Sequence, residues 1–197
     1  MKKLPVNIVT LFFLISTFFL GGFTNIVAQA KYHAQTLQLS VTGTSSLHDW
    51  EMTSNKGEFD ATLSMVNDKV SISGLKFTVP AESLKSGHGM MDKNTYKALN
   101  TEKNPSISFV LSSGNVVSLG ANAYQLKGIG KLTIAGKTIQ TDLEAMLKYN
   151  PANKTFSCTG TKKFNMTEYG VKPPTVMMGA IKTGDAITIT YNLIIKS

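Results

Sequence analysis

The sequence predicts an all-β protein, an antiparallel barrel or sandwich of about eight strands with one short helix and one long Pro/Gly loop. Three observations predict it. Apolar residues recur at every second position over most of the chain, turn signals separate those runs at hairpin spacing, and helical spacing appears only once.

The first 30 residues stand apart from this pattern. Five of the ten phenylalanines lie there (Phe12, Phe13, Phe18, Phe19, Phe23). Lys2 and Lys3 open the chain, no charged residue follows until Lys31, and an apolar stretch runs from about Ile8 to Phe23. Ala28-Gln29-Ala30 is a small-x-small cleavage site. These features read as a secretory signal peptide cut after Ala30, and the expected location is the periplasm or the exterior. An uncleaved anchor fits less well, because the apolar core falls short of the roughly 20 residues a span needs and Gly21-Gly22 interrupts it. Lys31 to Ser197 is then one domain, long enough to build a core of its own.

Along that domain the strands follow in order. Leu37, Leu39 and Val41 share one face of Thr36–Val41. Phe59, Ala61, Leu63 and Met65 share one face of Glu58–Val66, which ends at the turn Asn67-Asp68. Val70 and Ile72 continue the alternation until it slips at Gly74, where Leu75, Phe77 and Val79 take over; a glycine at a phase change predicts a bulge or sharp bend. Ile107-Phe109-Leu111 follows, then Tyr124 to Ile134, the turn Ala135-Gly136, and the return run Ile139 to Tyr149. Asn150-Pro151-Ala152-Asn153 turns the chain into Phe156, Cys158 and Gly160, and Ile187 to Ile195 closes it with the cleanest alternation. Met91 to Lys103 instead places Met91, Thr95 or Tyr96, and Leu99 on one helical face, between Gly87-His88-Gly89 and Pro105. Glu168 to Asp185, with Pro173-Pro174 and Met177-Met178, reads as a long loop of the kind that carries function.

Composition excludes several classes. The formal charge is +8, from 20 basic and 12 acidic residues, and every basic residue is lysine. The lysines are spread out, only Lys162-Lys163 adjoin after the leader, and there is no arginine to make bidentate contacts to phosphate or guanine. No nucleic acid is expected as a partner. A lysine-rich surface with weak contact to an anionic membrane surface is. Cys158 is the one cysteine, so an internal disulfide, a thiolate zinc site and lipidation at a cysteine after the leader are all excluded; it reads as a small buried apolar residue.

Catalytic and metal motifs are missing too. The histidines are His33, His48 and His88; His48 and Asp49 are adjacent, so in a strand they face opposite ways and form no dyad. No G-x-S-x-G elbow, H-x-H or H-x-x-x-H occurs. We expect no catalytic residue, no metal and no cofactor. An outer-membrane barrel would carry aromatic girdles, whereas the aromatics downstream of the leader do not gather at strand ends. The apolar faces therefore point inward, into an eight-stranded barrel just wide enough for side chains or one small ligand. Met90-Met91 and Met177-Met178 lie in the helix and the loop, where they form adaptable lids over an apolar ligand or cap a filled core.

At this point a resemblance emerges. Thr44-Ser45-Ser46-Leu47-His48-Asp49-Trp50 resembles the N-terminal motif of the YceI-like family of exported bacterial polyisoprenoid-binding proteins. Val79-Pro80-Ala81-Glu82-Ser83-Leu84, Asn104-Pro105-Ser106-Ile107-Ser108-Phe109, the hairpin Gly130 to Thr138, and Phe164 to Val171 resemble further motifs of that family, in the same order. The last departs from it by carrying Asn165 and Glu168 where arginine and aspartate are usual.

The resemblance implies a lipocalin-like barrel without catalysis, holding a long isoprenoid or fatty-acyl chain. It implies His48 and Trp50 near the pocket and Tyr96, Phe109 and Tyr169 along its wall. To these we add the lid residues Met90, Met91, Met177 and Met178, and Phe77, Leu99 and Met166 as further lining. The expected function is to carry or sequester an apolar lipid. The alternatives are a lipid-modifying hydrolase or isomerase using His48 with Asp49 or Asp92, and a ligand-free structural or stress-response barrel. A homodimer through edge strands is one option for its assembly.

Overall fold

The computed structural model describes residues 29–197. The expected leader lies outside the described residues except for Gln29 and Ala30. These two open the first strand, where they pair with Ser64 and Leu63, so a cut after Ala30 removes two paired residues.

Ten strands and one helix follow in order: β1 (Gln29–Ser45), β2 (Trp50–Ser54), β3 (Glu58–Val66), β4 (Lys69–Pro80), α1 (Gly89–Leu99), β5 (Ser106–Gly120), β6 (Ala123–Ile134), β7 (Lys137–Asn150), β8 (Thr155–Asn165), β9 (Thr175–Val176) and β10 (Ile181–Lys196). Eight of them close an antiparallel ring, β1-β3-β4-β5-β6-β7-β8-β10, with β10 returning to β1. β1 spans the wall. One of its edges pairs with β10 from His33 to Ser45; the other pairs with β3 through Gln29–His33 and with β2 through Leu39–Gly43. Closure leaves the short β2 and β9 at the ends of the strand order. Of the barrel and the sandwich that alternation leaves open, the barrel is observed.

Local chemistry explains the turns. Asn67-Asp68, Ala121-Asn122 and Ala135-Gly136 all have positive φ at both positions, the conformation that two-residue hairpins need to match strand twist. The phase slip at Gly74 is a bulge: Thr62 faces Gly74 and Leu63 faces Ile72, leaving Ser73 without a partner. Val70, Ile72, Leu75, Phe77 and Val79 thereby all reach the interior.

Three expectations need correction. The helix ends at Leu99, not Lys103, because Asn100 adopts a left-handed conformation (φ 52°) and the Asn100 and Thr101 amides close the last turn onto Lys97 and Tyr96 carbonyls. The loop expected over Glu168–Asp185 is partly ordered: Met166–Tyr169 and Met177–Gly179 are 3-10 turns, β9 pairs with Ile181-Lys182, and β10 begins at Ile181 rather than Ile187. β2 was absent from the expected set, although Trp50 and Met52 alternate with Glu51 and Thr53; five residues are too few for the pattern to stand out.

The two ends of the barrel differ. At the end holding the β7–β8 hairpin, Tyr32, Tyr124 and Tyr149 surround Phe156 with ring centroids 5.6, 6.2 and 4.8 Å away, in tilted and edge-on geometry. Phe156 is completely buried. This aromatic plug seals that end. Phe156→Ala should therefore lower the unfolding free energy by about 3–5 kcal/mol, read as a fall in the urea midpoint with little change in slope.

Candidate ligand-binding cavity

At the opposite end four segments roof the opening: the β1–β2 loop, α1, the Met166–Tyr169 turn and the stretch from Val171 to Ala180. Each is held by local polar contacts. In the β1–β2 loop, Ser45 Oγ accepts from the Leu47 and His48 amides at 3.2 Å and donates to the His48 carbonyl at 2.7 Å. The Ser46 amide donates to the Lys182 carbonyl, and the Lys182 amide to Ser46 Oγ, which ties this loop to β10. Trp50 Nε1 donates to the Thr44 carbonyl at 3.0 Å, and its ring lies over Gly43, where a Cβ would come within 2.3 Å of it. The motif Thr44–Trp50 is thus a hydrogen-bonded turn that presents Leu47, His48 and Trp50 to the opening.

α1 is anchored from both sides. The Asp92 carboxylate accepts from the Ser86 amide and hydroxyl at 2.9 and 2.7 Å, and these bonds hold it below the usual carboxylate range. The Tyr96 hydroxyl lies 2.8 Å from the Leu84 carbonyl and accepts from Lys85 Nζ at 2.6 Å. Lys85 and Thr53 exchange backbone hydrogen bonds, which fixes this whole segment to β2. The face of α1 left toward the barrel carries Met91, Thr95, Ala98 and Leu99. In the late motif, Asn165 and Glu168 cap the 3-10 turn reciprocally, Thr167 binds Asp185, and Tyr169 packs edge-on against Phe164 at 5.0 Å. The two residues that depart from the resembling motif therefore have a structural task here.

Under this roof lies a mouth cavity of about 530 Å³, and below it an inner chamber of about 110 Å³. Ile107 and Ile189 line both, so the two adjoin at these side chains. Of the residues expected from sequence, His48, Trp50, Met90, Met91, Leu99, Met166, Tyr169 and Met177 line the mouth, and Phe77 and Phe109 line the chamber. Two do not: Tyr96 turns outward to the Leu84 carbonyl, and Met178 is fully exposed. Thr95 takes the inward position on the helix that sequence left open between it and Tyr96.

Much of the wall was missed. Val41, Met52, Ile134, Phe164 and Ile187 line the mouth, and Leu39, Leu75, Leu126, Leu132, Cys158 and Tyr191 line the chamber. All occupy the inward phase of their strands, so alternation held the signal; it says which way a side chain points, not at what depth it sits.

The polar groups of the mouth are few. His48 Nδ1 lies 2.6 Å from the Asp49 carbonyl, and Ser45, His88, Asn94, Thr95 and Thr183 are also among them. Among the described residues, no three His, Cys, Asp or Glu side chains come together as a metal site. Deeper in, burial pushes the Cys158 thiol up to about 12 and raises the Tyr191 phenol as well.

The sequence matches the family description "YceI-like domain" over residues 32–195. No curated protein matches it. Among solved structures, BcnA of Burkholderia cenocepacia is similar, with a TM-score of 0.62 and 20% identity over 80% of this chain and 95% of that one. A polyisoprenoid-binding domain from Saccharophagus degradans is similar at 0.57 and 8% identity, covering 84% and 98%. The YceI protein of Campylobacter jejuni is similar at 0.53 and 16% identity, covering 71% and 82%. At these identities the likeness to solved structures is one of fold.

Cys158 offers a direct test of how deeply the chamber's inner wall is buried. A thiol reagent such as dithiobis-nitrobenzoate at pH 8 should label it only slowly in native buffer and at once in denaturant. Stoichiometric fast labelling of the native protein would contradict the burial described.

Proposed function

The chain belongs to the YceI-like domain family, and on that premise we propose that it is an exported binding protein that carries or sequesters a long-chain apolar lipid, polyisoprenoid or fatty acyl. The observation that carries this reading is the adjoining mouth and chamber, walled almost entirely by apolar side chains and roofed by methionines. Each methylene moved from water into such a wall contributes about 0.8 kcal/mol, so a long chain is held tightly with few polar contacts. The polyisoprenoid-binding description of the Saccharophagus degradans domain supports the same ligand class. The reading is binding rather than catalysis, since His48 Nδ1 faces a backbone carbonyl and the Asp92 carboxylate is engaged by Ser86.

The rim supports contact with a lipid surface. The four most exposed large apolar side chains, Met178, Met90, Met177 and Leu47, lie on its roof elements. Met177 and Met178 also hold left-handed backbone (φ 52° and 56°), a conformation costing about 1–2 kcal/mol per residue, and neither is buried in return. Lys172 and Lys182 flank the roof segments and supply attraction to anionic headgroups.

Two experiments check these proposals. Gently purified protein in native mass spectrometry should carry a lipid adduct that organic solvent releases; a homogeneous ligand-free mass in every preparation would sink the carrier reading. Met177→Ser with Met178→Ser should lower co-sedimentation with anionic phospholipid vesicles by about threefold or more, and undiminished binding would remove the rim from the proposal.

A further inference from the structure

The barrel wall is not continuous. β7 and β8 pair only from Met146 to Asn150 and from Thr155 to Thr159. Toward the mouth the two strands part, and the inner chamber reaches this slot, because Thr141 to Glu144 on one side and Thr161 and Lys162 on the other line it. Two side chains cross the gap. The Tyr191 hydroxyl donates to the Glu144 carbonyl at 2.6 Å, and Gly160 allows it to do so, since a Cβ there would come within 2.2 Å of that hydroxyl. Lys162 Nζ donates to Asp142 Oδ1 at 2.5 Å.

Lys162 is out of keeping with its row. On β8 the inward phase runs Phe156, Cys158, Gly160, Lys162, Phe164, opposite the inward Ile195, Leu193, Tyr191, Ile189 and Ile187 of β10. An ammonium therefore stands on the apolar face. Its side chain is only 25% exposed, while that of its partner Asp142, on the outward phase of β7, is 71% exposed. The pair is thus asymmetric: Asp142 keeps most of its water with or without the lysine, so separating them costs little on its side. A carboxylate arriving from inside the chamber would take the same ammonium, at an opening where water completes its solvation.

We propose that this slot is a head-group site for single-chain lipids ending in a carboxylate: the first carbons of the chain lie in the chamber, the rest runs on toward the mouth, and the carboxylate takes Lys162 from Asp142. This rests on the lipid-binding reading above and adds to it a polar specificity and a defined orientation. An inward charge on an open strand edge also discourages strand addition, so the test must read ligand preference rather than solubility.

Titration calorimetry of delipidated protein with dodecanoate and with dodecanol supplies that readout. The unsubstituted protein should bind the acid about tenfold more tightly than the alcohol, the worth of one charge-assisted hydrogen bond. Lys162→Met should abolish the preference, chiefly by weakening the acid, and Lys162→Arg should restore it. Asp142→Asn, which removes the competing carboxylate, should strengthen dodecanoate binding. A preference that survives Lys162→Met, or dodecanoate binding weakened by Asp142→Asn, overturns the site while leaving lipid binding intact. If neither ligand binds the unsubstituted protein, the site falls, while the lipid-binding reading stands or falls with the native mass spectrometry above.

Discussion

Everything described here depends on the pairing of the first strand with the last. β1 meets β10 from His33 to Ser45, so the two ends of the domain form one ladder. Without it the sheet would expose two long edges, and the inward residues of both strands, Leu37, Leu39, Leu193 and Ile195 among them, would lose their cover. The contact is as distant in sequence as the domain allows, so its loop-closure entropy must be met before the interior can gather. Each hairpin between them is local, but only closure turns a curved sheet into a container.

Closure also sets how the interior is used. At one end, aromatic rings fill the space around Phe156. At the other, small and flexible side chains leave room: Gly43 accepts the Trp50 ring, and methionines stand where rigid side chains would otherwise pack. The inner part of the cavity is walled by Leu126, Cys158, Tyr191 and Leu193.

Much of this was legible in the sequence. Alternation located the eight barrel strands, Gly74 marked its bulge, and the paired methionines pointed to the roof. What escaped was whatever depended on short or non-local contacts. β2 and β9 are too brief for a period to show, and Asn100 ends α1 through a backbone conformation that any asparagine allows and few require. Tyr96 sits at a helical position compatible with the wall, yet the carbonyls of Glu82 and Leu84 draw its hydroxyl away.

The sequence by itself determined the fold class, because a period of two with turn residues between runs allows little else, and it determined that the interior is apolar. Tertiary structure alone decided the depth of each inward residue, the seal at one end and the slot at the other. Lys162 shows why. Its spacing places it on the inward face, but only the parting of β7 from β8 lets an ammonium stand there and still find a partner. Periodicity carries direction along one strand, whereas a cavity or an opening is a relation between strands, set by where their hydrogen bonds stop.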